Sequence, residues 1–88
     1  MSDIQIIEKH DDGKYQYLTA RVGKIEAGIF ISPIGVNVCQ KNASHRAWRG
    51  QGRRFENLFQ ARDAYKSDSM KSIIEEAIRG FSVLGGAA

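Results

Sequence analysis

The side chains with chemistry to offer cluster between Lys41 and Arg54, where the chain reads Lys-Asn-Ala-Ser-His-Arg-Ala-Trp-Arg-Gly-Gln-Gly-Arg-Arg. Five cations, Lys41, Arg46, Arg49, Arg53 and Arg54, fall in this stretch without one Asp or Glu, a local charge of +5. The other eight Lys and Arg against ten Asp and Glu leave the rest of the chain at −2, which accounts for the net +3. A guanidinium presents forked donors that match phosphate oxygens or the edge of guanine. Trp48 offers a plane for stacking, Asn42 and Gln51 carry amides suited to base edges, and Gly50 and Gly52 allow close backbone approach. The expected function is therefore nucleic-acid binding, DNA or RNA, with Lys41, Arg46, Arg49, Arg53 and Arg54 on phosphates and Trp48 on a base or sugar. Two other readings compete. Tryptophan and arginine dominate protein–protein hot spots, so the same stretch suits a protein partner. It also fits a solvated loop in which Trp48 folds back over the core and the arginines only promote solubility.

Weaker constellations carry little. Gly50-Gln51-Gly52 is not a dinucleotide fingerprint, because no third glycine follows and Arg53-Arg54-Phe55 does not open a helix after a strand. Cys39 and His45 make a nucleophile and base only if the fold joins them, and a lone cysteine on a strand more often packs as a small hydrophobe, so substituting Cys39 should leave function intact. His10-Asp11-Asp12 is better explained as part of a turn than as a metal site. Tyr15 and Tyr17 have the spacing of base-stacking aromatics on an exposed sheet, but such pairs also pack beneath a helix, and core packing is the expectation here. Signatures of RNA-recognition domains, zinc fingers, KH loops and P-loops are absent from the sequence. The chain is read as non-enzymatic, without cofactor or metal. The alternative function is a small adaptor or inhibitor that engages a partner protein through the same loop or a free sheet edge.

The elements that must position these residues follow from periodicity. Met70, Ile73, Ile74, Ala77, Ile78 and Phe81 recur at helical spacing, with Lys71, Ser72, Glu75, Glu76 and Arg79 opposite, which predicts an amphipathic helix over 69–81. Ser67, Asp68 and Ser69 are its candidate caps, and Gly80 is expected to stop it in a left-handed conformation. Phe55 to Tyr65 predicts a second, shorter helix, with Asn57 capping and Gln60 reaching back three positions on. Upstream, Ile4 to Lys9 and Tyr15 to Val22 read as a hairpin closed by Asp11-Asp12-Gly13. Either Gly23-Lys24 or Glu26-Ala27-Gly28 closes the next turn. Ile29-Phe30-Ile31 reads as a buried strand, Ser32-Pro33-Ile34-Gly35 as a type I turn, and Val36 to Gln40 as a half-buried strand. The expected fold is α+β: an antiparallel meander of three to four strands covered on one face by two C-terminal helices.

Eighty-eight residues with ordinary globular composition, 42% hydrophobic and 26% charged, fit one domain over 1–84 and a frayed tail at 85–88. A single cysteine excludes an internal disulfide, and no apolar run suits a leader or a membrane span, so a cytoplasmic monomer or small homo-oligomer is expected.

Overall fold

Alternation along the strands decides which residues meet in the core. In the computed structural model, which describes residues 4–42, 44 and 52–81, the elements run β1 (Gln5–Asp11), β2 (Gln16–Val22), β3 (Ile25–Ser32), β4 (Gly35–Asn42), β5 (Arg53–Phe55), α1 (Leu58–Ala64) and α2 (Asp68–Gly80). The strands form one antiparallel sheet in the order β1-β2-β3-β4-β5, a meander in which every strand pairs with its sequence neighbour. This is the expected α+β architecture with a fifth strand added, because Arg53, Arg54 and Phe55 pair with Val38, Asn37 and Val36 instead of lying in a loop and a helix. The expected tail at 85–88 lies outside the described residues, as do Arg46, Trp48 and Arg49.

Each hairpin has a local cause. At the first turn Asp11 Oδ1 accepts from Gly13 N at 2.9 Å, and Asp12 Oδ1 accepts from Lys14 N and Tyr15 N at 3.0 and 2.7 Å. These Asx-type bonds fix the turn, and Gly13 takes φ +90 within it. Val22 pairs with Ile25, so Gly23 and Lys24 make the second turn and Glu26-Ala27-Gly28 lies inside β3. Ser32 pairs with Gly35, which leaves Pro33 and Ile34 at the third turn.

Leu18, Ile29 and Val38 stand opposite one another across β2, β3 and β4, as do Ala20 and Ala27. That face is buried, and it meets Met70, Ile73, Ile74 and Ala77 of α2 with Leu58 and Ala61 of α1. Ala20 and Ala27 are fully buried between larger neighbours, and small side chains there let a helix backbone approach the sheet. Asn57 caps α1, its Oδ1 accepting from Gln60 N at 2.8 Å while Gln60 Oε1 accepts from Glu56 N at 2.7 Å, a displaced form of the capping box. Ser67 caps α2 by accepting from Met70 N at 3.3 Å.

Gly80 does not act as the expected left-handed stop. It is the last residue of α2, and among the described residues positive φ is confined to Gly13, Gly23, Gly35 and Gly52. α2 ends instead with Phe81 N donating to Ala77 O at 3.1 Å. The missing Cβ of Gly80 makes room for β1: a Cβ there would lie 3.1 Å from Lys9 Nζ, which sits 5.4 Å from the centre of the Phe81 ring.

Candidate nucleic-acid interface

Three of the six expected contact residues, Lys41, Arg53 and Arg54, lie within the described residues, and the fold gives them different surroundings. Lys41 belongs to β4 and is nearly buried, its Nζ 3.5 Å from Glu26 Oε2 on the neighbouring strand. Arg21, Glu26 and Lys41 stand in register across β2, β3 and β4. Lys41 thus lies in a strand beside a carboxylate and not in the loop that charge clustering alone suggests. A cation at the first position of a basic run reads as solvated until the register places a carboxylate beside it.

Arg53 sits on the helix side of β5. Its Cζ lies 5.2 Å from the Phe55 ring centre and 5.1 Å from that of Tyr65, and the two rings are 6.1 Å apart. A guanidinium stacked in this way occupies its faces, and Arg53 also hydrogen-bonds the Tyr65 side chain. Burial raises the Tyr65 phenol above its ordinary pKa, against the opposing pull of the Arg53 charge. Arg54 points to the other side of the sheet and is exposed.

On that other side, Tyr17, Phe30, Asn37 and Arg54 form one row across β2 to β5, continued by His10 on β1. Neither helix packs on this face. Tyr15 and Phe30 are stacked, with centres 6.2 Å apart and planes 16° from parallel, and Tyr17 meets Phe30 edge-on at 6.2 Å. The Tyr17 hydroxyl accepts from Thr19 Oγ1 at 2.6 Å, which holds that ring over the strand. Tyr15 and Phe30 remain 39% and 46% exposed, far more than a pair packed beneath a helix retains. The core-packing expectation for Tyr15 and Tyr17 is therefore reversed. Phe30, expected within a buried strand, is exposed instead, and the alternation of Ile25, Ala27, Ile29 and Ile31 with Glu26, Gly28, Phe30 and Ser32 carries the signal. Phe30, Ile34, Asn37 and Arg54 also line a shallow depression of about 220 Å³.

β5 is held in place by two glycines. Gly35 has φ +145, and a Cβ there would lie 2.8 Å from Phe55 O. Gly52 has φ +84, and a Cβ there would lie 2.7 Å from Val38 O and 2.8 Å from Cys39 Sγ. Only glycine allows both the conformation and the approach, so these positions bring Arg54 beside Asn37. Cys39 is half-buried against Gly52 and accepts from Asn37 Nδ2 at 3.6 Å.

His10 Nε2 lies 3.7 Å from Asp12 Oδ2 in the exposed first turn, where both aspartates already accept backbone bonds. Those bonds hold both carboxyls below the usual aspartate range, led by Gly13 N on Asp11 and Tyr15 N on Asp12. Among the described residues no group of three or more His, Cys, Asp or Glu is placed to hold a metal ion, and no helix is long and apolar enough to cross a membrane. Comparison with protein-family models, curated proteins and solved structures finds no match to this chain.

Proposed function

We propose that this protein is a non-enzymatic nucleic-acid-binding module. The observation that carries the reading is the concentration of positive charge between Arg46 and Arg54, where four arginines and Trp48 stand without a carboxylate. That run leads directly into β5, whose exposed Arg54 lies on the sheet face opposite the helices. In this reading Arg46, Arg49, Arg53 and Arg54 contact phosphates and Trp48 stacks, while Lys41 supports the sheet through Glu26. A cytoplasmic location, as a monomer or small homo-oligomer, completes it.

A protein partner has one observation in its favour: β1 is an edge strand exposed along its whole length. Its register shift between Ile6 and Glu8, and the charges of Glu8, Lys9 and Asp11, work against the addition of a further strand. The charge concentration leaves nucleic acid the better-supported ligand.

A salt-dependent titration against single- and double-stranded DNA and RNA tests the proposal. Log affinity should fall linearly with log salt, and neutralising Arg54 should flatten the slope by about 0.7–0.9. Absence of association with every nucleic acid at about 50 mM salt, where phosphate contacts are strongest, overturns it.

A further inference from the structure

We infer that the sheet face opposite the helices is a stacking platform for unpaired bases, with Tyr15, Tyr17 and Phe30 as its surface and Arg54 at its rim, so that the ligand is a single strand; this rests on the nucleic-acid reading above.

The geometry of the rings is the first ground. A sheet face left without a helix normally exposes polar side chains, because exposed aromatic area is costly in water. Here Tyr15 and Tyr17 each meet Phe30, the exposed Tyr15 and Phe30 lie nearly parallel, and the Thr19 hydroxyl bond fixes Tyr17. Each exposed ring offers a π face on which an unpaired base can stack.

The placement of charge is the second ground. Adjacent strands lie about 4.8 Å apart, and Arg54 stands two strands from Phe30 in the same row, so their backbones are roughly 10 Å apart. A base stacked on Phe30 then has its phosphate within reach of the long Arg54 side chain. At the opposite end the first turn mixes Asp11 and Asp12 with Lys14, whose Nζ lies 5.6 Å from the Tyr15 ring centre. A bound strand then has its backbone at the β5 rim, where Arg54 meets it.

Base pairing decides the strand state. In a duplex the base faces are covered by their neighbours and only the edges are accessible, so a flat aromatic surface on a sheet has nothing to stack on. The same surface accepts any unpaired base, since every base has a π face, and sequence preference is accordingly weak.

The test compares the wild type with Phe30→Leu, Tyr15→Leu and the double variant, which keep apolar bulk and remove the rings. Binding is read by fluorescence anisotropy on labelled oligothymidylate, oligouridylate and a duplex of equal length, with thermal midpoints confirming that each variant is folded. Each ring removed should weaken single-strand binding by roughly 5–150-fold, with the salt slope unchanged and duplex binding unaffected. Should Phe30→Leu fail to fold, Tyr15→Leu, beside the exposed first turn, carries the test. If the wild type binds in a salt-dependent way and the ring variants bind single strands equally well, the platform is refuted and the arginine reading stands. Preference of the wild type for duplex refutes it as well. If the wild type binds no nucleic acid at all, both readings fall.

Discussion

Gly52 and Gly13 share a backbone conformation and differ in surroundings, so replacing each by alanine separates strain from collision. Their φ values are +84 and +90, and an alanine in this left-handed region costs about 1–2 kcal/mol at either site. Nothing lies within 4 Å of a Cβ built on Gly13, so Gly13→Ala should lose that amount alone. At Gly52 the new methyl meets Val38 O at 2.7 Å, Cys39 Sγ at 2.8 Å and Asn37 Nδ2 at 3.1 Å. Overpacking of this kind adds about 1–3 kcal/mol, which brings Gly52→Ala to roughly 2–5 kcal/mol unless β5 unpairs first. β5 is attached to the sheet through only three residue pairs, so its local release limits the loss. Urea denaturation measures the global term, and hydrogen exchange at the Arg54 and Phe55 amides detects the release. Adding Cys39→Ala to the Gly52 variant should recover part of the loss, since it removes the sulfur but leaves Val38 O. Equal losses at Gly13 and Gly52, with unchanged exchange in β5, would refute the close packing on which the position of Arg54 depends.

Other perturbations test separate parts of the structure. Ile74→Ala should cost about 2–5 kcal/mol, because Ile74 is fully buried against the sheet, whereas Glu75→Ala should cost about 0.5 kcal/mol or less; equal costs in a denaturant series would contradict the orientation of α2. Lys41→Ala should lower stability by about 3 kcal/mol by stranding Glu26, and leave the salt slope of nucleic-acid binding unaltered, whereas Arg54→Ala should do the reverse; a flatter slope for Lys41→Ala returns it to the interface. The Asp12 carboxyl is held below its ordinary pKa by the backbone N–H groups of Tyr15 and Lys14. Its contribution is therefore present above the usual aspartate range and disappears as pH falls through the lowered folded value. Asp12→Asn should flatten the dependence of the thermal midpoint on pH below about pH 4, and an unchanged profile would show that the turn is not held by this charge.

Local chemistry made much of this fold legible. The helical spacing from Met70 to Ile74 and Ala77, the Ser67 cap and the Asn57–Gln60 pair are read within one or two turns of chain, and the structure contains all of them. The turn at Asp11 to Gly13 is equally local. Long-range pairing was less legible. Both faces of β2 carry apolar residues, so only its register with β3 and β4, matching Leu18 to Ile29 and Val38, decides which face α2 covers. β5 is three residues long and two of them are arginines, too short and too polar for any periodicity to mark it. The candidate site was half visible for the same reason. The basic run is a property of the sequence, whereas the meeting of Tyr15, Tyr17 and Phe30 is a property of the hairpins.

The order of the elements has a consequence for how the chain comes into being. On the ribosome the four-stranded meander emerges before α2, and neighbouring hairpins need close only short loops, so the sheet can assemble early. Until α2 follows, Leu18, Ile29, Ile31, Val36 and Val38 face solvent on one side and the tyrosines and Phe30 on the other. A nascent sheet that is greasy on both surfaces is the species most prone to stick to its neighbours. Truncating the chain before Asp68 should therefore raise its insoluble fraction more than truncating it after Phe81.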